Sequence, residues 1–311
     1  MTIQQLEYIL AVEKFRHFGQ AADACFVTQP TLSAQISKLE RELDILLFDR
    51  SKMPVIPTEI GEKVIAQAKR VVMESKGLLE LVAEMKGEIG GTIKVGIIPT
   101  LAPNLLPLFI GNFIEKYPNV LLEVQEMVTE EILSRLKNDE LDLGIVVSPL
   151  HEGGMVEKPI FYEKFFVYLS KDHPLLNQKE IPVADLPAED LWVLQQGHCF
   201  RDQVLNLCDK NVFQRKNFHY ESGSIEGLKN MVDRYMGITL LPELATDNLS
   251  KEEKTRLRPF SGNPPVREIS LIRTRNFLKQ RLVNLLFEEI KASMPPHMQS
   301  NKDGRLVNFK L

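Results

Sequence analysis

The 311-residue sequence predicts an α/β protein: a small helical N-terminal module, one long amphipathic helix, then a larger region in which strands and helices alternate. Three observations carry this expectation. Short helical periodicities fill the chain ahead of Arg50. An apolar seam at three- and four-residue steps runs from Ile60 to Met85. From Thr92 onward, strand-like runs alternate with helical ones.

A chain of this length accommodates roughly two or three folded units. Its 26% charged and 44% hydrophobic residues are those of a globular protein, not of a disordered or fibrous one. No apolar run approaches the roughly 18 residues of a membrane span, and Glu7 and Glu13 interrupt the first apolar pattern, unlike a signal peptide. A cytoplasmic protein without a membrane partner is expected. Three cysteines without a C-x-x-C pair exclude a secreted disulfide framework and argue against a zinc site, so no metal is expected. No G-x-G-x-x-G, P-loop or G-x-S-x-G pattern appears, and no cofactor is called for. The net charge of -4 gives no hint of a polyanion partner, and residues 1–60 hold six basic against eight acidic side chains. Bulk charge therefore argues mildly against DNA, although the local field of one face matters more.

Leu6, Ile9 and Leu10 predict a first helix, and Phe18, Ala21, Ala22 and Cys25 a second, with Cys25 on its apolar side. Thr28 can cap a third helix whose first turn admits Pro30. Leu32, Ile36, Leu39 and Leu43 form its buried stripe. Pro30, Thr31, Ser33, Ala34, Ser37, Lys38 and Arg41 lie on or beside the outward face. Small and hydroxylated side chains let such a helix approach base edges closely, while basic ones neutralise phosphates. The bland alternative is a solvated face. Arg50 and Lys52 precede a Met53–Pro57 stretch suited to a hairpin wing along a backbone.

The segment FGQAADACFVTQPTLSAQISKLERELDILLFDR, residues 18–50, resembles the winged helix-turn-helix of LysR-type transcriptional regulators. The resemblance implies a winged helix-turn-helix over residues 1–58, a dimerisation linker helix over 59–89, and a two-lobed, periplasmic-binding-protein-like regulatory region over 90–295. It also implies that Thr28, Gln29, Pro30, Thr31, Ser33, Ala34, Ser37 and Lys38 enter the major groove, with Arg50 and Lys52 on phosphates. Promoter DNA and RNA polymerase are the implied partners of a homo-oligomer, a dimer of dimers. Ile60, Val64, Ala68, Val71, Ser75, Leu78, Val82 and Met85 form the heptad-like seam that a second subunit would cover, the alternative being packing on the chain's own domain.

In the regulatory region the pattern reads βαβαβ: strand 92–98, helix 101–117, strand 120–126, helix 129–138, strand 141–147. Further strands are expected at 165–169, 191–194, 237–241 and 268–272, and helices at 201–208, 225–235 and 276–293. The lobes divide near residues 148–161, the chain returns near Arg267, and residues 296–311 lack periodicity and read as a mobile tail.

The segment GHCFRDQVLNLC, residues 197–208, holds Cys199 at a helix start and Cys208 on the apolar face with Phe200, Val204 and Leu207. With His198 and Arg201 as local donors, the Cys199 thiolate is expected to be favoured and Cys208 to be an inert thiol. On pattern alone, two unreactive core cysteines remain equally open. The segment also resembles the redox segment of peroxide-sensing LysR-type regulators, as do ESGSIEGLKNMV, GITLLP and PVREI, so the likeness spans nearly the whole chain. That resemblance implies that Cys199 is peroxidatic and Cys208 resolving, in a reversible intramolecular disulfide. It further implies a pocket for hydrogen peroxide formed by Thr100, Thr129, His198 and Arg267, reset by thiol reductants, and activation of oxidative-stress defence genes. By spacing alone, Thr100 and Thr129 read first as helix caps. Nine residues of helix would part the two Cα atoms by roughly 13 Å, against roughly 7 Å for a disulfide, so bonding must unwind the helix.

The sequence departs from that pattern at Asp233-Arg234-Tyr235-Met236, where small residues are expected, and in residues 209–220, which carry extra basic residues. Two other readings stay open: a LysR-type regulator of a small metabolite held between the lobes, and a thiol peroxidase. An enzyme would have no need of the N-terminal module, so none is expected.

Overall fold

The computed structural model describes residues 1–85, 89–207, 220–275, 280–300 and 304–307. Cys208 therefore lies outside the described residues. The chain divides into two compact units, Met1–Glu88 and Ile89–Leu311.

In the first unit, α1 (Ile3–Phe15) opens with a capping box in which Thr2 and Gln5 satisfy each other's backbone N–H groups. α2 (Phe18–Ala24) and α3 (Gln29–Leu43) follow, with Thr28 capping α3 through the Thr31 N–H. Leu6, Ile9, Val12, Ala21, Ala22, Leu32, Ile36 and Leu39 pack into one core, and Cys25 lies half-buried against it. β1 (Phe48–Asp49) pairs antiparallel with β2 (Ile56–Pro57), giving the wing expected from the Met53–Pro57 stretch. α4 (Glu59–Met85) packs on α1 through Ile65, Ala68 and Val72. The apolar seam is thus only partly covered within the unit. Ala68 is buried in the unit's own core, while Ile60, Leu78 and Val82 stay exposed.

The second unit begins with β3 (Gly91–Ile97), α5 (Ala102–Lys116), β4 (Val120–Glu126), α6 (Thr129–Lys137) and β5 (Leu143–Ser148). β6 (Met155–Leu169), β7 (Leu191–Trp192), α7 (Cys199–Leu207), α8 (Ile225–Arg234), β8 (Ile238–Pro242), α9 (Glu243–Thr246) and α10 (Lys251–Lys254) come next. β9 (Leu257–Pro259), β10 (Pro265–Thr274), α11 (Gln280–Ser293) and β11 (Arg305–Leu306) complete it. Strands pair in the order β4-β3-β5-β10-β6-β8-β7, with β11 beside β10 and β9 beside β6. The first three are parallel, as strands joined by βαβ crossovers are.

The division into lobes falls later than the 148–161 expected. β6 is one 15-residue strand whose first part pairs with β10 up to Lys164 and whose last part, Phe165–Leu169, pairs with β8. Pro159 breaks its alternation in the sequence, which is why only the second half reads as a strand. Each lobe has its own core: Ile93, Leu105, Phe109, Ile132, Ile145 and Leu286 on one side, Phe165, Val167, Phe200, Val204 and Leu240 on the other. The described residues of the tail, 296–300 and 304–307, are also packed on the unit. Arg305–Leu306 joins β10 in parallel, Met298 and Val307 are buried, and the Gln203 amide donates to the Val307 carbonyl at 3.0 Å.

Candidate functional site

The helix-turn-helix face is built by α3. Thr28, Gln29, Pro30, Thr31, Ala34 and Lys38 are exposed, Ser33 and Ser37 half-buried. The acid-free first turn leaves the positive helix end unneutralised. Arg50, expected on phosphates, is held by side chains of its own unit. Its guanidinium donates to Ser33 Oγ at 3.2 Å, Ser37 Oγ at 3.1 Å and Glu40 Oε2 at 2.7 Å, and lies 4.9 Å over the Phe18 ring. The cause is Glu40, a buried carboxylate that also accepts the Leu47 N–H and requires a cation. Arg50 thereby fixes the wing against the outward hydroxyls of α3. Lys52 sits exposed near Asp49, at 4.0 Å.

The second site lies wholly inside the second unit. α6 approaches the sheet closely because Gly96 and Gly144 leave room for Ile132: a Cβ on either glycine would stand within 3.0 Å of an Ile132 carbon. That approach fixes Thr129, the first residue of α6. Its Oγ1 is 3.1 Å from Cys199 Sγ, at the first residue of α7. Neither threonine caps a helix by its side chain. The cap positions of α5 and α6 are Leu101 and Val128, without side-chain cap bonds. The Thr100 hydroxyl instead accepts from Arg267 Nη1 at 3.0 Å.

Arg267 is wholly buried and forms an ion pair with Glu163, which is equally buried, through Nη2 at 2.6 Å and Nε at 2.8 Å. Glu163 Oε2 accepts the Leu244 N–H at 3.2 Å. The guanidinium lies 5.2 Å over Phe200, which stacks on Phe165 at 5.3 Å. Burial pushes the Glu163 carboxyl up, opposed by Arg267 and the Leu244 N–H.

Thr100, Thr129, His198, Cys199 and Arg267 are all buried. The structure bonds Thr129 to Cys199 and Thr100 to Arg267, and Arg267 acts on the Cys199 thiol through its charge. His198 precedes Cys199 with its ring Nε2 bordering Gly223. Burial pushes its pKa down, so the imidazole is neutral near pH 7.

The expectation of a favoured Cys199 thiolate is corrected. Burial pushes the thiol pKa up and Asp202 adds to this, outweighing the Thr129 hydrogen bond, the helix-start N–H and Arg267. Nor does Arg201 help, because its Nη1 donates to the Leu194 carbonyl at 2.6 Å. The resting group is a thiol.

Glu163 escaped sequence reasoning, although a signal existed. Phe161, Glu163, Phe165, Val167 and Leu169 share one face at period two, so a lone acid stands in an otherwise apolar, inward-facing set. The divergent Asp233 also has a structural basis. It accepts from the Tyr168 hydroxyl at 2.6 Å and pairs with Lys229 at 3.1 Å and Arg256 at 2.7 Å, while Lys229 reaches Glu253 at 2.6 Å.

A DNA-reading module joined to a two-lobed α/β region defines a class of ligand- or signal-responsive transcriptional regulators, and the comparisons agree. The model of the "Bacterial regulatory helix-turn-helix protein, lysR family" matches residues 3–62, and that of the "LysR substrate binding domain" matches residues 86–295. The chain belongs to the LysR family of bacterial regulatory proteins. It is 36% identical over 298 residues to the "DNA-binding transcriptional dual regulator OxyR" of Escherichia coli strain K12, covering 96% of this chain and 97% of the relative. Full-length OxyR of Pseudomonas aeruginosa, solved with a cysteine-to-aspartate change, matches with a TM-score of 0.77 and 35% identity, over 94% of this chain and 98% of that one. A peroxide-bound cysteine-to-serine mutant of Corynebacterium glutamicum OxyR matches with a TM-score of 0.61 and 27% identity, over 94% and 92%.

Proposed function

We propose that this chain is a peroxide-responsive, DNA-binding regulator, switched by a reversible disulfide between Cys199 and Cys208 of one chain and activating oxidative-stress defence genes. The observation that carries the reading is the buried Cys199 sulfur, 3.1 Å from a threonine hydroxyl and beside a buried arginine. The relatives named for OxyR support it.

Thr100, Thr129, His198 and Arg267 hold hydrogen peroxide by their donors and acceptors. Cys199 sulfur attacks one peroxide oxygen, forming S–O as O–O breaks. The thiol proton passes through the Thr129 hydroxyl to the departing oxygen, which leaves as water. A resting thiol thus supplies the proton its leaving group needs. Cys208 sulfur then attacks Cys199 sulfur and displaces a second water, leaving the disulfide. A cellular dithiol reverses the bond by exchange.

The disulfide cannot form on an intact α7. Its eight steps from Cys199 to Leu207 carry the chain about 12 Å along the axis, and one further residue recovers at most about 3.8 Å. About 8 Å remains, beyond the roughly 7 Å that a disulfide spans. Unwinding α7 withdraws Phe200 and Val204 from their core, turning oxidation into a change of shape. In the cytoplasm, a dimer of dimers held by the exposed stripe Ile60, Leu78 and Val82 transmits this to paired reading helices on promoter DNA, and so to RNA polymerase.

The test is a promoter footprint and a tryptic digest of the full chain, reduced and after stoichiometric peroxide. The two states should differ, and a Cys199→Ser variant should not respond. Identical patterns in both states would return the chain to the metabolite-binding class.

A further inference from the structure

Phe26 stands in the turn between α2 and α3 with its side chain 97% exposed and its backbone in the left-handed region, φ 55°. Both features are unfavourable for a phenylalanine. Left-handed turn positions suit glycine or asparagine, and a bulky residue there is a strained outlier. The turn is nevertheless well defined: the Phe26 N–H donates to the Asp23 carbonyl and the Val27 N–H to the Ala22 carbonyl, each at 3.1 Å. Val27 packs on the core, so Phe26 is held outward.

What lies beside it in the chain narrows its use. Phe26 comes two residues before the Thr28 cap, and Thr28, Gln29 and Thr31 are exposed and polar. The positive N-terminal end of α3 carries no acid in its first turn and draws this corner toward phosphate. In a helix-turn-helix the N-terminal residues of the second helix meet base edges, and thymine is the base that offers an apolar group in the major groove. We infer that Phe26 is a specificity-determining residue that packs on a thymine 5-methyl group beside the bases met by Thr28 and Gln29. The inference rests on the DNA-binding reading above and adds a sequence preference to it.

The test uses the full chain and a duplex selected by it from a random-sequence library, read by fluorescence anisotropy. Thymines are replaced one at a time by deoxyuridine, which deletes only the methyl group. Wild type should weaken about fourfold at one position of each half-site, the loss expected for one buried methyl group. Phe26→Asn, which suits the left-handed backbone, should bind the thymine duplex that much more weakly and ignore the replacement. Phe26→Leu should keep part of the discrimination, and binding to an unselected duplex should not change. The inference is overturned if wild type tolerates every replacement, or if Phe26→Asn pays the same deoxyuridine penalty as wild type. Loss of self-association with DNA preference intact would assign Phe26 to a second copy instead. Failure of wild type to select any sequence would sink the DNA-binding reading itself, a distinct result.

Discussion

Replacing Thr129 by valine keeps the shape at the start of α6 and removes one hydroxyl, the atom 3.1 Å from Cys199 sulfur. In the resting protein that bond joins two neutral groups and contributes about 0.5 to 1.5 kcal/mol, whereas the same hydroxyl turned to the departing oxygen, which gains negative charge as O–O breaks, contributes about 1.5 to 3 kcal/mol. The difference of about 1 to 1.5 kcal/mol is lost only in the transition state, and each 1.36 kcal/mol is about tenfold in rate. Thr129→Val should therefore oxidise about five- to thirteenfold more slowly, with more to lose where the hydroxyl also relays the proton. Because the Thr129 bond pulls the Cys199 pKa down, the variant thiol should also titrate higher than wild type. The assay is stopped-flow sulfenylation in a Cys208→Ser background, where the first step stands alone, with iodoacetamide alkylation against pH for the thiol. Oxidation within twofold of wild type, at unchanged thermal stability, would refute the assignment of Thr129 to the reacting sulfur.

Other consequences are equally open to measurement. Val204→Ala weakens the packing of α7, present only in the reduced form, so the disulfide should become harder to reduce, its potential falling about 30 mV for each 1.4 kcal/mol lost; an unchanged potential in dithiol redox titrations would mean that α7 stays wound. Glu163→Gln leaves Arg267 without its charge partner and should destabilise the second unit by about 3 kcal/mol or more, seen as a lower urea midpoint, while Glu163→Asp should recover part of the loss. Glu253 is held by Lys229 and Ser250 at a pKa of about 2, below the 4.5 of a free carboxyl, so its contribution is complete above about pH 4.5 and fades as pH falls toward 2. The gap in urea stability between wild type and Glu253→Gln should accordingly shrink over that window, and a gap independent of pH would contradict the assignment. Arg50→Lys cannot hold Ser33, Ser37 and Glu40 together, and should weaken operator binding while leaving the disulfide switch intact.

The N-terminal unit was legible because its signals are local: a threonine cap, a proline in the first turn, and the stripe Leu32, Ile36, Leu39. The βαβαβ beginning of the second unit was legible for the same reason, since its periods are 2 and 3.6 over long runs. What escaped depends on tertiary placement. Nothing near Thr100 or Thr129 in the chain says that their hydroxyls face Arg267 and Cys199 and do not cap helices. The proton state of Cys199 was misjudged because a helix start and neighbouring cations are visible in a sequence, whereas burial against another lobe's residues is not. That Arg50 also braces Ser33, Ser37 and Glu40 was not legible, because the buried carboxylate that captures it lies ten residues earlier. Strand β11, two residues long, has no period to detect.

The central claim, that oxidation pairs Cys199 with Cys208 inside one chain, is tested most directly by non-reducing peptide mass spectrometry after brief, stoichiometric hydrogen peroxide. The account predicts one cross-linked peptide pair joining these two residues, formed within a single subunit in mixed light- and heavy-isotope protein and abolished by dithiothreitol, with Cys25 unmodified. Cys199 found as a sulfinic acid, joined to a neighbouring subunit, or unreacted would contradict it.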